Sequence, residues 1–152
     1  MRSQLLFTAF LSIAATAALA AAPSATVFGD WQTTTNSIVR VAPCAPGHAA
    51  NSTICLTIVR LAPTAPETTD QQNPDAALRN RNLCGLTVGT GFHEADPEHL
   101  TDGHLYDPKT GHTYQGAISA EGNTLHLRGY IGISLFGRTE TWHRVPTIRA
   151  CR

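Results

Sequence analysis

From residue 27 onward, apolar positions alternate with polar ones at a period of two, not at the spacing of a helix. In the segment 53–61, Ile54, Leu56 and Ile58 share one face, while Cys55, Thr57 and Val59 share the other. Segments 27–34, 38–41, 83–88, 113–118, 124–130 and 133–145 have the same character, and a weaker one lies near 104–106. Together they predict about eight strands rich in Val, Ile, Thr, Tyr and Trp. Turn residues separate them. Tyr106-Asp107-Pro108-Lys109-Thr110-Gly111-His112 places Pro early and Gly late, as a hairpin loop built on a type I turn requires, and Ala120-Glu121-Gly122-Asn123 predicts a tighter reversal. Many short antiparallel strands of this kind build a sandwich or a closed barrel. The one long interruption, 63–82, contains a short helix signal: Asn73 as N-cap, Pro74 in the first helical position and Asp75 in the first turn.

The first twenty residues follow a different pattern. Arg2 precedes an apolar run of about 16 residues that ends in Ala18-Leu19-Ala20, the layout of a secretory signal peptide cut after Ala20. The run is shorter and richer in Ala than the roughly 20 strongly apolar residues of a spanning helix. No Cys follows the cut to carry a lipid. The expected organisation is therefore a signal peptide at 1–20, a short leader at 21–26 and one domain at 27–152, in a periplasmic or secreted protein. A 152-residue chain leaves room for one domain. Eleven Lys+Arg against eleven Asp+Glu give no basic excess for a nucleic-acid backbone to recognise.

The exported setting changes the reading of the cysteines. Cys44, Cys55, Cys84 and Cys151 contain no CxxC pair and fit no zinc ribbon or finger, so two disulfides are expected and no metal. The cluster His93-Glu94-Ala95-Asp96-Pro97-Glu98-His99, followed by Asp102 and His104, is not HExxH, because Pro97 breaks any helix that would align its histidines. It reads as a polar loop between strands. The chain has no GxSxG and no phosphate-binding Gly-rich loop, and Asp70, Asp75, Asp107 and Glu140 have no spacing that fixes an acid–base pair. No catalytic residue and no cofactor are expected. Trp31 opens the first strand and Trp142-His143-Arg144 closes the last, so a barrel that seals itself can bring Trp31 and Arg144 together at one end. A guanidinium over an indole contributes about 0.5–2 kcal/mol.

Several ordered motifs carry a family resemblance. They are Gly29-Asp30-Trp31; Asp70-Gln71-Gln72-Asn73-Pro74-Asp75 with Leu78-Arg79-Asn80-Arg81-Asn82-Leu83-Cys84-Gly85-Leu86; Gly103-His104-Leu105-Tyr106-Asp107-Pro108 with Gly111-His112-Thr113-Tyr114; Leu127-Arg128-Gly129-Tyr130-Ile131-Gly132; and Leu135-Phe136-Gly137-Arg138-Thr139 with Trp142-His143-Arg144. The chain resembles the exported bacterial, lipocalin-like family known as domain of unknown function 2147. It departs from that family at Cys55, which is followed by Leu56-Thr57 where a Gly is usual, and Cys151 lies beyond the family block. The resemblance implies an all-β, up-and-down antiparallel barrel of lipocalin or streptavidin type, with one short helix in a long loop, able to hold a small molecule. The ligand does not follow from the fold.

Cys44 and Cys55 flank a loop and can face each other across a hairpin, which leaves Cys84 with Cys151; the other two connectivities stay open. Gly29, Trp31, Trp142 and Arg144 are expected to close a barrel end. Candidate ligand contacts are Arg128, Tyr130, Tyr106, Tyr114, Asp70, Asn73, Asp75 and Arg79. His126, Arg128 and Tyr130 share one strand face, and Leu125 and Leu127 share the other. An inward Arg128 would anchor an anionic or polar head group; an outward one would be a solvated rim. The expectation carried forward is the inward one. Asp70, Asn73, Asp75 and Arg79 would shape a lid or a structural lock. The function that follows is an exported small-molecule-binding protein. The alternatives are an envelope interaction protein with a filled barrel, acting on a protein partner, and an enzyme built on the 70–81 loop with Tyr106.

Overall fold

A computed structural model describes residues 26–44 and 53–151. The expected signal peptide at 1–20 lies outside the described residues, as does the leader except for Thr26. Eight strands follow one another: β1 (Gly29–Gln32), β2 (Ile38–Pro43), β3 (Ile54–Arg60), β4 (Thr87–Asp96), β5 (His99–Asp107), β6 (His112–Glu121), β7 (Thr124–Tyr130) and β8 (Arg138–Val145). Each pairs antiparallel with the next. β1 also pairs with β8 through Asp30↔Val145, Trp31↔Arg144 and Gln32↔His143, so the sheet closes into an up-and-down barrel with no free edge.

The period-two pattern supplies the barrel's lining. Leu56, Phe92, Leu100, Leu105, Ile118, Leu125 and Trp142 all belong to one buried cluster. Glycines facing that cluster make room for its larger members. A Cβ at Gly103 would lie 2.3 Å from the Phe92 ring, and one at Gly116 would lie 2.7 Å from Leu105 and 2.9 Å from Phe92. A Cβ at Gly89 would lie 2.7 Å from that of Leu56. The middle of the barrel is therefore filled by protein, with Phe92 at its centre.

Four expectations about local structure are corrected. The strand expected at 83–88 starts only at Thr87, because Leu83–Leu86 belong to the β3–β4 connection, and the one expected at 133–145 starts at Arg138, after a 3-10 turn at Ser134–Phe136. The 93–99 cluster is not a loop: β4 and β5 run through it to Asp96 and from His99, joined by a tight turn at Pro97 and Glu98. Its side chains look polar because this outlying hairpin is exposed on both faces, and His99 Nδ1 lies 2.8 Å from Asp96 Oδ1. The helix after Asn73 is one 3-10 turn at Ala76–Leu78, capped by Asp75, whose carboxylate accepts from the Ala77 N–H at 2.9 Å. Asn73 instead accepts from the Asp75 N–H and so makes the turn before the cap.

The described cysteines are bridged. Cys44–Cys55 staples the β2–β3 hairpin (Cα–Cα 4.9 Å), and Cys84–Cys151 joins the long β3–β4 connection to the C-terminal tail (6.0 Å). In the loop-entropy account they contribute about 3 and about 4 kcal/mol. The tail reaches Cys84 along the outside of the barrel. On the way, the Ile148 N–H bonds to the buried Asp30 carboxylate at 2.8 Å, and the Cys151 N–H bonds to the Val59 carbonyl at 2.8 Å.

Candidate functional site: a strap clasped to the outer wall

The up-and-down order divides the connections between the two ends of the barrel. The floor is the end where β1 starts and β8 finishes. Trp31 is fully buried there, its indole N–H donates to the Val27 carbonyl at 2.9 Å, and the Arg144 guanidinium lies 4.0 Å from its ring centroid. Arg144 also donates to the Phe28 and Thr26 carbonyls, and burial lowers its pKa. Gly29 is required beneath it: φ is +127°, and a Cβ would lie 2.9 Å from the Arg144 guanidinium. Trp142, buried beside Leu125, donates to Glu140 at 2.9 Å. Every polar group named here has a partner, so the floor is a seal.

The opposite end carries residues 61–86, a strap between β3 and β4. Its two arms zip together through Asp70 N–H to Arg81 carbonyl (3.0 Å), Leu83 N–H to Thr68 carbonyl (2.9 Å) and the Thr69↔Asn82 bridge. Asp70 is fully buried at the clasp. One carboxylate oxygen accepts from the Tyr106 hydroxyl at 2.6 Å; the other accepts from Asn73 Nδ2 and from Arg81 Nε, both at 2.8 Å. Arg81 Nη2 completes the ion pair at 2.7 Å, and its guanidinium lies 5.6 Å from the Tyr106 ring centroid. Burial alone would raise the Asp70 pKa. The bonds from Tyr106, Asn73 and Arg81 outweigh it and hold the carboxyl below its ordinary value. Burial and the neighbouring carboxylate raise the Tyr106 pKa. Arg79 Nε donates to the Asn73 carbonyl at 2.8 Å, fixing the start of the 3-10 turn. Where the strap meets the β5–β6 turn, only glycine fits: Gly111 has φ +72°, and a Cβ there would lie 2.1 Å from the Gln72 carbonyl oxygen.

Between the strap and the barrel lies a cavity of about 270 Å³, lined by Asn73, Arg81, Thr87, Thr90, His104, Tyr106 and Thr113 among others. Thr90↔His104 and Tyr106↔Thr113 are cross-strand pairs whose neighbours Gly89, Leu105 and Tyr114 face the core, so these lining residues stand on the outer wall of β4–β6.

The expected ligand residues therefore occupy three places. Asp70, Asn73 and Tyr106 meet at the strap, with Asp75 and Arg79 shaping its turn. Tyr114 lies on the inner face and packs against the core. Arg128 and Tyr130 lie on the outer face of β7, because Leu125 and Leu127 take the inside. The inward Arg128 is thus corrected: its guanidinium bonds to the Ser134 and Leu135 carbonyls and, at 2.9 Å, to Thr139 Oγ1. A single strand's alternation does not say which face is apolar enough to win the interior; its pairing with Trp142 does. Arg81, Thr87, Thr90, His104 and Thr113 were not anticipated as site residues. Arg81 had a signal, as a cation in the same uninterrupted loop as an aspartate. The threonines had none, since outward polar residues on strands are ordinary.

A closed eight-stranded antiparallel barrel with a sealed floor and a loop-bearing opposite end is a lipocalin-like architecture. It is similar to the structure of HP1028 from the human pathogen Helicobacter pylori, a protein described as belonging to the lipocalin family. The TM-score is 0.65 and the identity 22%, over 77% of this chain and 81% of that one. Residues 29–144 match the family of uncharacterized proteins conserved in bacteria designated DUF2147, and the chain belongs to that family. No curated protein matches it.

Proposed function

We propose that this is an exported binding protein of the bacterial envelope or its surroundings, and that its ligand is a small polar or anionic molecule held in the cleft under the strap. The observation that carries this reading is the cleft itself. At about 270 Å³ it is an open cleft slightly smaller than the roughly 300–1,000 Å³ of ordinary ligand pockets, which limits it to a small molecule. Its lining offers three threonine hydroxyls, an imidazole and the flank of a guanidinium. The buried carboxylate of the clasp, Asp70, is already bound by Tyr106, Asn73 and Arg81. That favours a ligand which accepts hydrogen bonds. Two disulfides suit an oxidising compartment, consistent with export. The same internal bonds weigh against an enzyme built on this loop, because Asp70 and Tyr106 hold each other.

A second reading has its own observation. Phe92 and the glycines facing it leave the barrel's middle filled, as suits a protein that works through its surface. Native mass spectrometry of protein exported to a bacterial periplasm and purified without detergent separates the two. A reproducible low-mass adduct, released on denaturation and absent from Thr90→Trp, is expected from the cleft. A protein that stays bare after incubation with envelope extract would reject the ligand and favour the surface reading. An adduct that survives in Thr90→Trp would place the ligand elsewhere.

A further inference from the structure

The described residues include five large apolar side chains that stand exposed, and four of them are in one short segment. Ile131 is 78% exposed, Ile133 59%, Leu135 76% and Phe136 79%, all in the connection between β7 and β8 at the end opposite the floor. Single exposed apolar residues are ordinary, but a cluster of this kind marks a contact surface.

The segment is built to project. Gly132 has φ +75° and starts the turn. A 3-10 turn at Ser134–Phe136 closes with the Gly137 N–H on the Ser134 carbonyl at 3.0 Å. Arg128 reaches across from β7 to hold the Ser134 and Leu135 carbonyls. Gly137 packs so closely that a Cβ would lie 2.7 Å from the Gly129 carbonyl oxygen. The backbone is tied to the barrel while the side chains are turned away from it. None of the four belongs to the core cluster or packs against it.

The charges nearest the loop are basic, and the first carboxylate on β8, Glu140, is engaged by the Trp142 indole N–H at 2.9 Å. Residues 122–139 contain Arg128 and Arg138 and no Asp or Glu. Arg138 is exposed directly after the loop and, among the described residues, forms no ion pair. Tyr130 stands directly before it. Apolar tips flanked by an aromatic ring and a cation match the layered chemistry of a lipid surface: acyl chains, then the interface, then phosphate. We propose that the β7–β8 loop docks the protein on an anionic phospholipid surface. Ile131, Ile133, Leu135 and Phe136 enter the acyl boundary, and Arg138 meets the headgroup phosphates. This docking does not depend on whether the strap cleft holds a ligand.

Flotation of the exported protein, its mass showing that residues 1–20 have been removed, with vesicles tests it. Wild type is expected to float with vesicles of phosphatidylethanolamine and phosphatidylglycerol, and less with phosphatidylcholine alone. The triple variant Ile133→Ser/Leu135→Ser/Phe136→Ser is expected to lose roughly tenfold or more of its partitioning to both. Arg138→Gln is expected to lose partitioning to the anionic vesicles alone. Thr90→Trp, which fills the cleft, is expected to float like wild type, so failure of one proposal leaves the other readable. Wild type that stays with the soluble fraction, or a triple variant that floats equally, would overturn the docking. So would a lipid-free dimer in sedimentation that the triple variant dissolves while neither protein floats, because the loop would then be covered by a second copy.

Discussion

Two connections stand at the same end of this barrel and treat their side chains in opposite ways. The strap, 61–86, is polar in sequence, yet it buries a carboxylate completely. The β7–β8 loop, 131–137, is apolar in sequence, yet it exposes Ile131, Ile133, Leu135 and Phe136. Hydropathy alone predicts the reverse. The difference lies in the partners available. Asp70 finds in Tyr106, Asn73 and Arg81 donors that replace its water, so its burial leaves no charge unpaired. The loop residues have no neighbouring apolar surface to meet, because the barrel's interior is already filled by Phe92, Leu105 and their neighbours. The strap therefore belongs to the folded unit, while the loop is carried by it.

The floor sets the scale for testing that contrast. Trp31→Ala removes a fully buried indole and the surface on which Arg144 rests, and is expected to cost about 3–5 kcal/mol. It should lower stability without changing which vesicles or ligands the protein takes. An unchanged melting temperature would refute the reading of Trp31 as the plug of the barrel.

If the strap is integral, removing its clasp should approach that loss. Asp70→Ala leaves Tyr106 and Arg81 without their acceptor and is expected to cost about 3 kcal/mol, towards the lower end for a broken buried pair. Arg81 can turn to water, since its side chain is 36% exposed. Urea unfolding at neutral pH measures this, and a cost near zero would make the strap as dispensable as the loop.

Acid sharpens the same comparison. The folded pKa of Asp70, and that of Asp30 beneath Arg40 and the Ile148 N–H, are lowered from the ordinary 3.8. Carboxylates of this kind contribute stability that is fully present above the unfolded pKa and is lost as pH falls through the folded one. Wild type should therefore weaken steadily as pH drops below about 4. The Asp70→Ala variant should weaken less steeply and retain the Asp30 share. Parallel acid profiles for the two proteins would remove Asp70 from the account.

The sequence carried unequal information about these regions. Strands with one apolar face were legible because alternation and burial agree, as in Ile54, Leu56 and Ile58. The hairpin through His93, Asp96 and His99 was not, because it extends beyond the core and neither of its faces needs apolar residues. In the strap, Asp70, Asn73 and Arg79 stood out as polar residues in a long loop. The meeting of Asp70 and Asn73 with Tyr106 did not, since Asp70 and Tyr106 are 36 residues apart and come together only when the strap folds over β5. Arg128 was misplaced for a related reason: its strand shows two faces, and only the register with Trp142 on β8 assigns them. The apolar loop was the least legible. In the sequence, residues 133–136 continue the apolar run into β8, and nothing in the alternation separates side chains that line a barrel from side chains that leave it.

That last ambiguity yields the smallest expected effect and the sharpest one for the contrast. If the loop is carried rather than integral, replacing Ile133, Leu135 and Phe136 by Ser exchanges exposed apolar surface for exposed polar surface. Surface substitutions of this kind stay within about 0.5 kcal/mol each. Arg128 still holds the Ser134 and Leu135 carbonyls, because those bonds are made to backbone. Urea midpoint and slope should therefore match wild type, while solubility at high concentration rises. A loss comparable to that of Asp70→Ala would mean that these side chains fold back on the barrel mouth in solution. The loop would then be a second strap and not a projecting surface.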